Sequence, residues 1–148
     1  MTQVLIVDDH QSIRLGLSVL FAGEPDLEVC AAVESGEAGL DVALTAVPDV
    51  VVMDLTMPGM GGVAATRAIR ERCPTTRVLV LSAHGDASHV RAALDAGASG
   101  YVFKGEDHLV LLEALRAVAR GEVGVGRAAG DDLPRPPNRP AATLNPAT

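Results

Sequence analysis

The chain has 148 residues, enough for one domain with a real core and too few for two ordinary ones. Hydrophobic residues make up 48% against 21% charged, which argues against a disordered chain, while 2% aromatics and a net charge of −7 argue against binding single-stranded nucleic acid or a phosphate backbone. Cys30 and Cys73 form no CxxC or Cys/His cluster, no apolar run approaches the ~20 residues of a membrane span, and Met1-Thr2-Gln3-Val4 opens no signal peptide, so the expectation is a soluble cytoplasmic protein without structural zinc.

In chain order, Val4-Leu5-Ile6-Val7 reads as a strand buried on both faces. Ser12 to Phe21 follows as a helix, with Ile13, Leu17, Leu20 and Phe21 at helical spacing and Gly23 as its stop. Leu27 to Val33 is a second strand, and a helix from Glu37 to Ala46 ends before Pro48. Val50-Val51-Val52-Met53 is the third strand, followed by a helix from Val63 to Arg72 that ends at Cys73-Pro74. Val78-Leu79-Val80-Leu81 is the fourth, with a helix from Ala87 to Ala96 halted by Gly97. Tyr101-Val102-Phe103 is a short fifth strand, and a last helix runs from Asp107 to Arg120 with Leu109, Leu112, Leu115 and Val118 on one stripe.

Five strands alternating with five helices predict an α/β domain, a doubly wound parallel sheet with right-handed crossovers and helices on both faces. Spacing alone leaves the strand order open; the flavodoxin-like order 2-1-3-4-5 is one of the two common solutions. Residues 121–148 differ. They hold 5 of the 9 prolines and no apolar periodicity, and read as a linker or disordered extension after a domain spanning 1–120. A following domain is expected beyond it.

Open parallel sheets bind ligands beyond the carboxyl ends of their strands. There the sequence places Asp8-Asp9, Asp54, Ser82 and Lys104, the only lysine of the chain. Singly, each has a plain structural explanation. Asp8 or Asp9 could cap a helix, Asp54 could serve the turn at Met57-Pro58-Gly59, Ser82 could cap, and Lys104 could be solvated. Together they are harder to dismiss. Three carboxylates within a few ångströms cannot all stay ionised without a cation, and an all-oxygen ligand set suits Mg²⁺ with room for an incoming phosphate. Phosphoryl transfer needs positioning and charge neutralisation more than acid–base machinery. Asp54, the lone carboxylate after the central strand, is the candidate nucleophile, leaving Asp8 and Asp9 to hold the metal. Gly59, Gly61 and Gly62 read as a turn before a helix rather than a phosphate loop.

In order and spacing, Val7-Asp8-Asp9-His10, Val52-Met53-Asp54-Leu55-Thr56-Met57-Pro58-Gly59-Met60-Gly61-Gly62, Leu81-Ser82-Ala83-His84 and Gly97-Ala98-Ser99-Gly100-Tyr101-Val102-Phe103-Lys104 closely resemble the receiver domain of bacterial two-component response regulators. The resemblance covers residues 3 to 120 and is nearest the NarL/FixJ type. It implies a flavodoxin-like (βα)5 fold with order 2-1-3-4-5. It implies that Asp54 accepts a phosphoryl group from a phosphohistidine of a sensor histidine kinase. Asp9 and Asp54 would then bind Mg²⁺ through carboxylates, Thr56 through its backbone carbonyl and Asp8 through water. Lys104 would pair with a phosphoryl oxygen, Ser82 and Tyr101 would act as the switch pair, and Ala83 and His84 would flank phosphodonor access. On spacing alone Tyr101 is a half-buried strand aromatic; only the resemblance makes it a switch. One position departs from many receivers: Gly105 stands after Lys104 in place of a cis proline. His10, His89 and His108 are given no role.

The resemblance further implies a phosphoacceptor rather than an enzyme, with Mg²⁺-dependent self-phosphorylation and slow autodephosphorylation. The expected output is transcription, through a DNA-binding domain beyond this chain. Homodimerisation on phosphorylation is open, and no nucleic acid or membrane partner is expected for this domain. The alternative is a phosphorylation-independent receiver-like interaction module. A haloacid-dehalogenase-type phosphatase would carry its nucleophile after the first strand in an Asp-x-Asp motif. A cobalamin module would need Gly at Ile13, and a flavodoxin a hydroxyl- and glycine-rich loop after the first strand.

Overall fold

A computed structural model describes residues 1–83 and 86–125. The expectations for His84 and for residues 126–148 lie outside that range. The elements run β1 (Thr2–Val7), α1 (Gln11–Ala22), β2 (Leu27–Val33), α2 (Gly36–Ala46), β3 (Val50–Asp54), α3 (Gly61–Arg72), β4 (Arg77–Ser82), α4 (Ala87–Asp95), β5 (Gly100–Phe103), α5 (His108–Ala119) and β6 (Gly124–Val125). All strand pairs are parallel, in the order β2-β1-β3-β4-β5-β6, so the expected 2-1-3-4-5 order holds with one strand added at the β5 edge.

The strands are β-branched and aliphatic, and their side chains alternate between two cores. Leu5, Val7, Val51, Met53, Val78, Val80, Tyr101 and Phe103 face one core with Ala43 of α2, Ala65 and Ile69 of α3, and Val90 and Ala93 of α4. Val4, Ile6, Val50, Val52, Leu79, Leu81 and Val102 face the other, with Leu17 and Phe21 of α1 and Leu111, Leu112, Leu115 and Val118 of α5. Burial on both faces explains why β1, β3 and β4 read as continuous apolar runs, whereas edge strand β2 alternates in and out along Glu28 to Val33.

Two features differ from the sequence reading. Leu109 is 66% exposed, so α5 buries Val110, Leu111, Leu112, Ala114, Leu115 and Val118 instead of a stripe beginning at Leu109. Leu109 lies on the outer face of that first turn, while Val110, Leu111 and Leu112 turn inward. β6 lies beyond residue 120, inside the stretch read as linker, and pairs Gly100 with Gly124 and Tyr101 with Val125. The approach is backbone on backbone. A Cβ on Gly100 would collide with the Gly124 carbonyl, and one on Gly124 would sit 2.5 Å from the Ala114 carbonyl oxygen.

The loop after β3 has its own constraint. Gly59 and Gly61 take φ of 75° and 77°, and a Cβ on Gly62 would strike the Asp54 carbonyl and lie 2.7 Å from Leu55 Cα. α3 therefore starts directly against the end of β3, which holds Asp54 in place. The turn reading holds for Gly59 and Gly61; Gly62 serves close packing. After β5, Gly105 turns the chain at φ 90°, and no peptide bond is cis among the described residues.

Candidate functional site

The parallel sheet brings the carboxyl ends of β1, β3, β4 and β5 to one rim. Because β1 and β3 are neighbours, Val7 pairs with Met53, so the next residues, Asp8 and Asp54, stand side by side. Both are fully buried. Lys104, one residue past β5, reaches back over the strand end: its Nζ lies 3.0 Å from Asp54 Oδ1 and 3.5 Å from Asp8 Oδ2. Its backbone N–H donates to the Ser82 carbonyl at 2.9 Å, which ties the β5 end to the β4 end. The Thr56 N–H donates to Asp54 Oδ1 at 3.1 Å, folding the loop after β3 over the carboxylate.

The electrostatics are unbalanced. Asp8 Oδ2 and Asp54 Oδ2 are buried and have no hydrogen-bond partner among the described residues. Burial pushes the Asp54 carboxyl up from its ordinary range; the Lys104 ammonium and the Thr56 N–H oppose this, and the nearby Asp8 carboxylate adds to it. One ammonium thus serves two buried carboxylates, an arrangement that costs stability unless more positive charge arrives.

Asp9 is exposed on the rim beside them, and His10 completes the group. The His10 ring Nδ1 lies 2.9 Å from Asp8 Oδ1 and 3.1 Å from Asp9 Oδ1. The His10 N–H also donates to Asp8 Oδ1 at 2.9 Å, and Arg14 Nη1 donates to the Asp8 carbonyl at 2.7 Å. Asp8, Asp9, His10 and Asp54 each offer one ligand atom, all within 4.8 Å of one another. The sequence reading passed over His10 and Arg14. The signal was available for His10: it directly follows the acidic pair and begins α1.

Ser82 is buried, and its hydroxyl donates to the Ala83 carbonyl at 3.2 Å rather than to the acidic group. Ala83 is exposed. Tyr101 is 1% exposed and packs edge-on against Phe103, ring centroids 6.1 Å apart, so it is more deeply buried than the spacing suggests. Among the described residues no helix is long and apolar enough to cross a membrane.

A family model, the response regulator receiver domain, matches residues 4–116. The chain belongs to this family. Among curated relatives, the receiver is 45% identical over 119 residues to the transcriptional regulatory protein DegU of Brevibacillus brevis, covering 80% of this chain and 50% of the relative. It is 35% identical over 125 residues to the nitrate/nitrite response regulator protein NarL of Escherichia coli K12, covering 84% and 58%. A crystal structure of a LuxR-family two-component response regulator from Aurantimonas matches with a TM-score of 0.77 and 36% identity, covering 82% of this chain and 86% of that one. The receiver thus spans about half the length of the curated relatives it matches.

The cluster Asp8, Asp9 and Asp54 is the acidic group typical of receiver Mg²⁺ sites. The residues fit that ion. The donors are hard oxygens, and two of them, Asp8 Oδ2 and Asp54 Oδ2, are buried without a hydrogen-bond donor among the described residues.

Proposed function

We propose that Asp54 accepts a phosphoryl group from a phosphohistidine of a sensor histidine kinase, and that the domain thereby switches an output in a transcriptional regulator. The observation that carries this reading is Lys104 held 3.0 Å from Asp54 Oδ1 and 3.5 Å from Asp8 Oδ2, with Asp54 Oδ2 buried and without a hydrogen-bond donor among the described residues. In the transfer an Asp54 carboxylate oxygen bonds to phosphorus as the donor's P–N bond breaks; the imidazole leaves with the electron pair and takes up a proton. Asp9 and Asp54 would hold Mg²⁺ directly, with the Thr56 carbonyl, and Asp8 through water. Bound there, the ion supplies positive charge against the phosphoryl oxygens. Lys104 supplies the rest from the end of β5 on the same rim.

The new group adds ~1.5 to 2 negative charges at a buried point. Lys104 has to choose between Asp8 and the phosphoryl oxygens. The Ser82 hydroxyl, spent on its neighbour's carbonyl, gains a stronger acceptor. Its turn towards Asp54 draws in the loop after β4, and Tyr101 follows on the same sheet face. The output surface is α4, β5 and α5. Ala83, small and exposed, keeps the approach to Asp54 open. This is a shift between two states of one fold, set by how differently the phosphoryl group contacts each. The DegU name, a transcriptional regulatory protein, supports transcription as the output; the receiver covers about half of that relative, and a DNA-binding part would lie outside the receiver.

The test is intact-mass labelling by a small phosphodonor such as phosphoramidate with Mg²⁺. The wild type gains one phosphoryl group and Asp54→Asn gains none while keeping its fold by circular dichroism. Labelling of Asp54→Asn at the wild-type level would remove the nucleophile assignment. A wild type that neither labels nor responds to beryllium fluoride with Mg²⁺ would point to the interaction-module reading.

A further inference from the structure

His10 serves the acidic group with its ring and not the helix it precedes. It occupies the N-cap position of α1, yet its side chain makes no cap hydrogen bond. Although 55% exposed, the ring is turned inward with Nδ1 between the Asp8 and Asp9 carboxylates, at 2.9 and 3.1 Å. Next to it, Asp8 and Asp54 are 1% and 0% exposed at the side chain, and each presents an oxygen without a hydrogen-bond donor among the described residues. With all three carboxylates ionised and Lys104 charged, the group carries two net negative charges, the complement of one divalent ion. Its donors are three oxygens and one nitrogen within 4.8 Å of each other, the spread of ligands around a single centre.

An imidazole is a poor ligand for Mg²⁺ and a good one for borderline first-row ions. We propose that His10 Nδ1 is a nitrogen ligand at this cluster, so that the site takes a borderline divalent ion such as Zn²⁺ in addition to Mg²⁺. This rests on the receiver reading of the same carboxylates and adds to it the choice of ion. Nδ1 is the ring atom that faces the Asp8 and Asp9 oxygens, so an ion seated among these groups would meet the Nδ1 lone pair. With Mg²⁺ the ring would keep its contacts to Asp8 and Asp9 instead. His10 thus distinguishes two classes of ion that the carboxylates alone treat alike in kind.

The experiment uses the full chain, unphosphorylated, titrated separately with Mg²⁺ and Zn²⁺, with calorimetry for affinity and nitrogen-15 imidazole NMR for the ligand. Expected is a large shift of the His10 Nδ1 resonance with Zn²⁺ and little with Mg²⁺. His10→Ala and His10→Asn should each weaken Zn²⁺ at the cluster by about tenfold while leaving Mg²⁺ within about threefold. His10→Asn keeps a capping side chain, so a loss shared by both variants is not a helix effect. Asp54→Asn serves as the site control, separating this cluster from His89, His108 and Cys30. A Nδ1 resonance unmoved by Zn²⁺, or His10 variants that weaken both ions equally or neither, overturns the proposal while Mg²⁺ binding and labelling leave the receiver reading intact. A wild type that binds neither ion overturns both.

Discussion

The two ends of one sheet are built on opposite principles. At the end where the strands begin, polar groups find partners. Buried Thr76 donates its hydroxyl to the Pro48 carbonyl at 2.7 Å, Asp49 accepts from the Gln3 N–H at 2.8 Å, and Arg116 grips Asp26 and Glu24 from α5. The Arg116 guanidinium holds the Asp26 carboxyl below its ordinary range. At the end where the strands finish, Asp8 and Asp54 share one ammonium, two carboxylate oxygens have no hydrogen-bond donor among the described residues, and burial holds the Asp54 carboxyl above its ordinary range. The same fold thus pairs these polar side chains at one pole and leaves a charge deficit at the other. A deficit of that kind is a cost to folding alone and fits an acidic group of the kind typical of receiver Mg²⁺ sites.

The sharpest way to break the comparison is at Gly62. Gly62→Ala forces a Cβ into the Asp54 carbonyl and Leu55, so it should cost about 3 kcal/mol in urea unfolding and reduce labelling with it. Next is ligand linkage. At one hundred times its dissociation constant, Mg²⁺ should stabilise the wild type by about 2.7 kcal/mol, and Asp54→Asn should lose nearly all of this while Thr76→Val keeps it. An Mg²⁺ effect that survives Asp54→Asn would place the ion elsewhere.

Without Mg²⁺ the sign at Asp54 is reversed. A carboxyl whose pKa is raised on folding costs stability once pH rises through the folded value, because the folded state resists losing that proton. Asp54→Asn should therefore raise stability at neutral pH, by about 1 kcal/mol. The gain should shrink as pH falls below the raised value. Equal gain at acidic and neutral pH would contradict the assignment. Thr76→Val, at the other pole, should cost about 1 kcal/mol with no ion dependence. Smallest is Arg116→Ala, whose exposed partners make a salt-sensitive contact; its loss in melting temperature should fade at high salt. Within the site, Lys104→Ala should keep some labelling yet lose the phosphorylation-induced shifts of α4 amide resonances. Unchanged shifts would take Lys104 out of the switch.

By itself the sequence determined five strands, five helices and which residue types stand at the rim. Runs such as Val50-Val51-Val52-Met53, short, β-branched and bounded by turn signals, read as strands covered on both faces, the glycines and prolines mark where helices stop, and Asp8, Asp9, Asp54, Ser82 and Lys104 stand at or just past strand ends. These are local statements, set by side-chain period and turn chemistry within a few residues. Tertiary structure alone decided which side chains share an environment. It set His10 between two carboxylates, turned the Ser82 hydroxyl to its own neighbour, left Leu109 uncovered, and laid Gly124 against Gly100 as a sixth strand in a stretch that reads as linker. The reason is physical. Covering of a helix end, pairing at a sheet edge and the balance of buried charge depend on neighbours supplied from distant parts of the chain, and no window of sequence contains them.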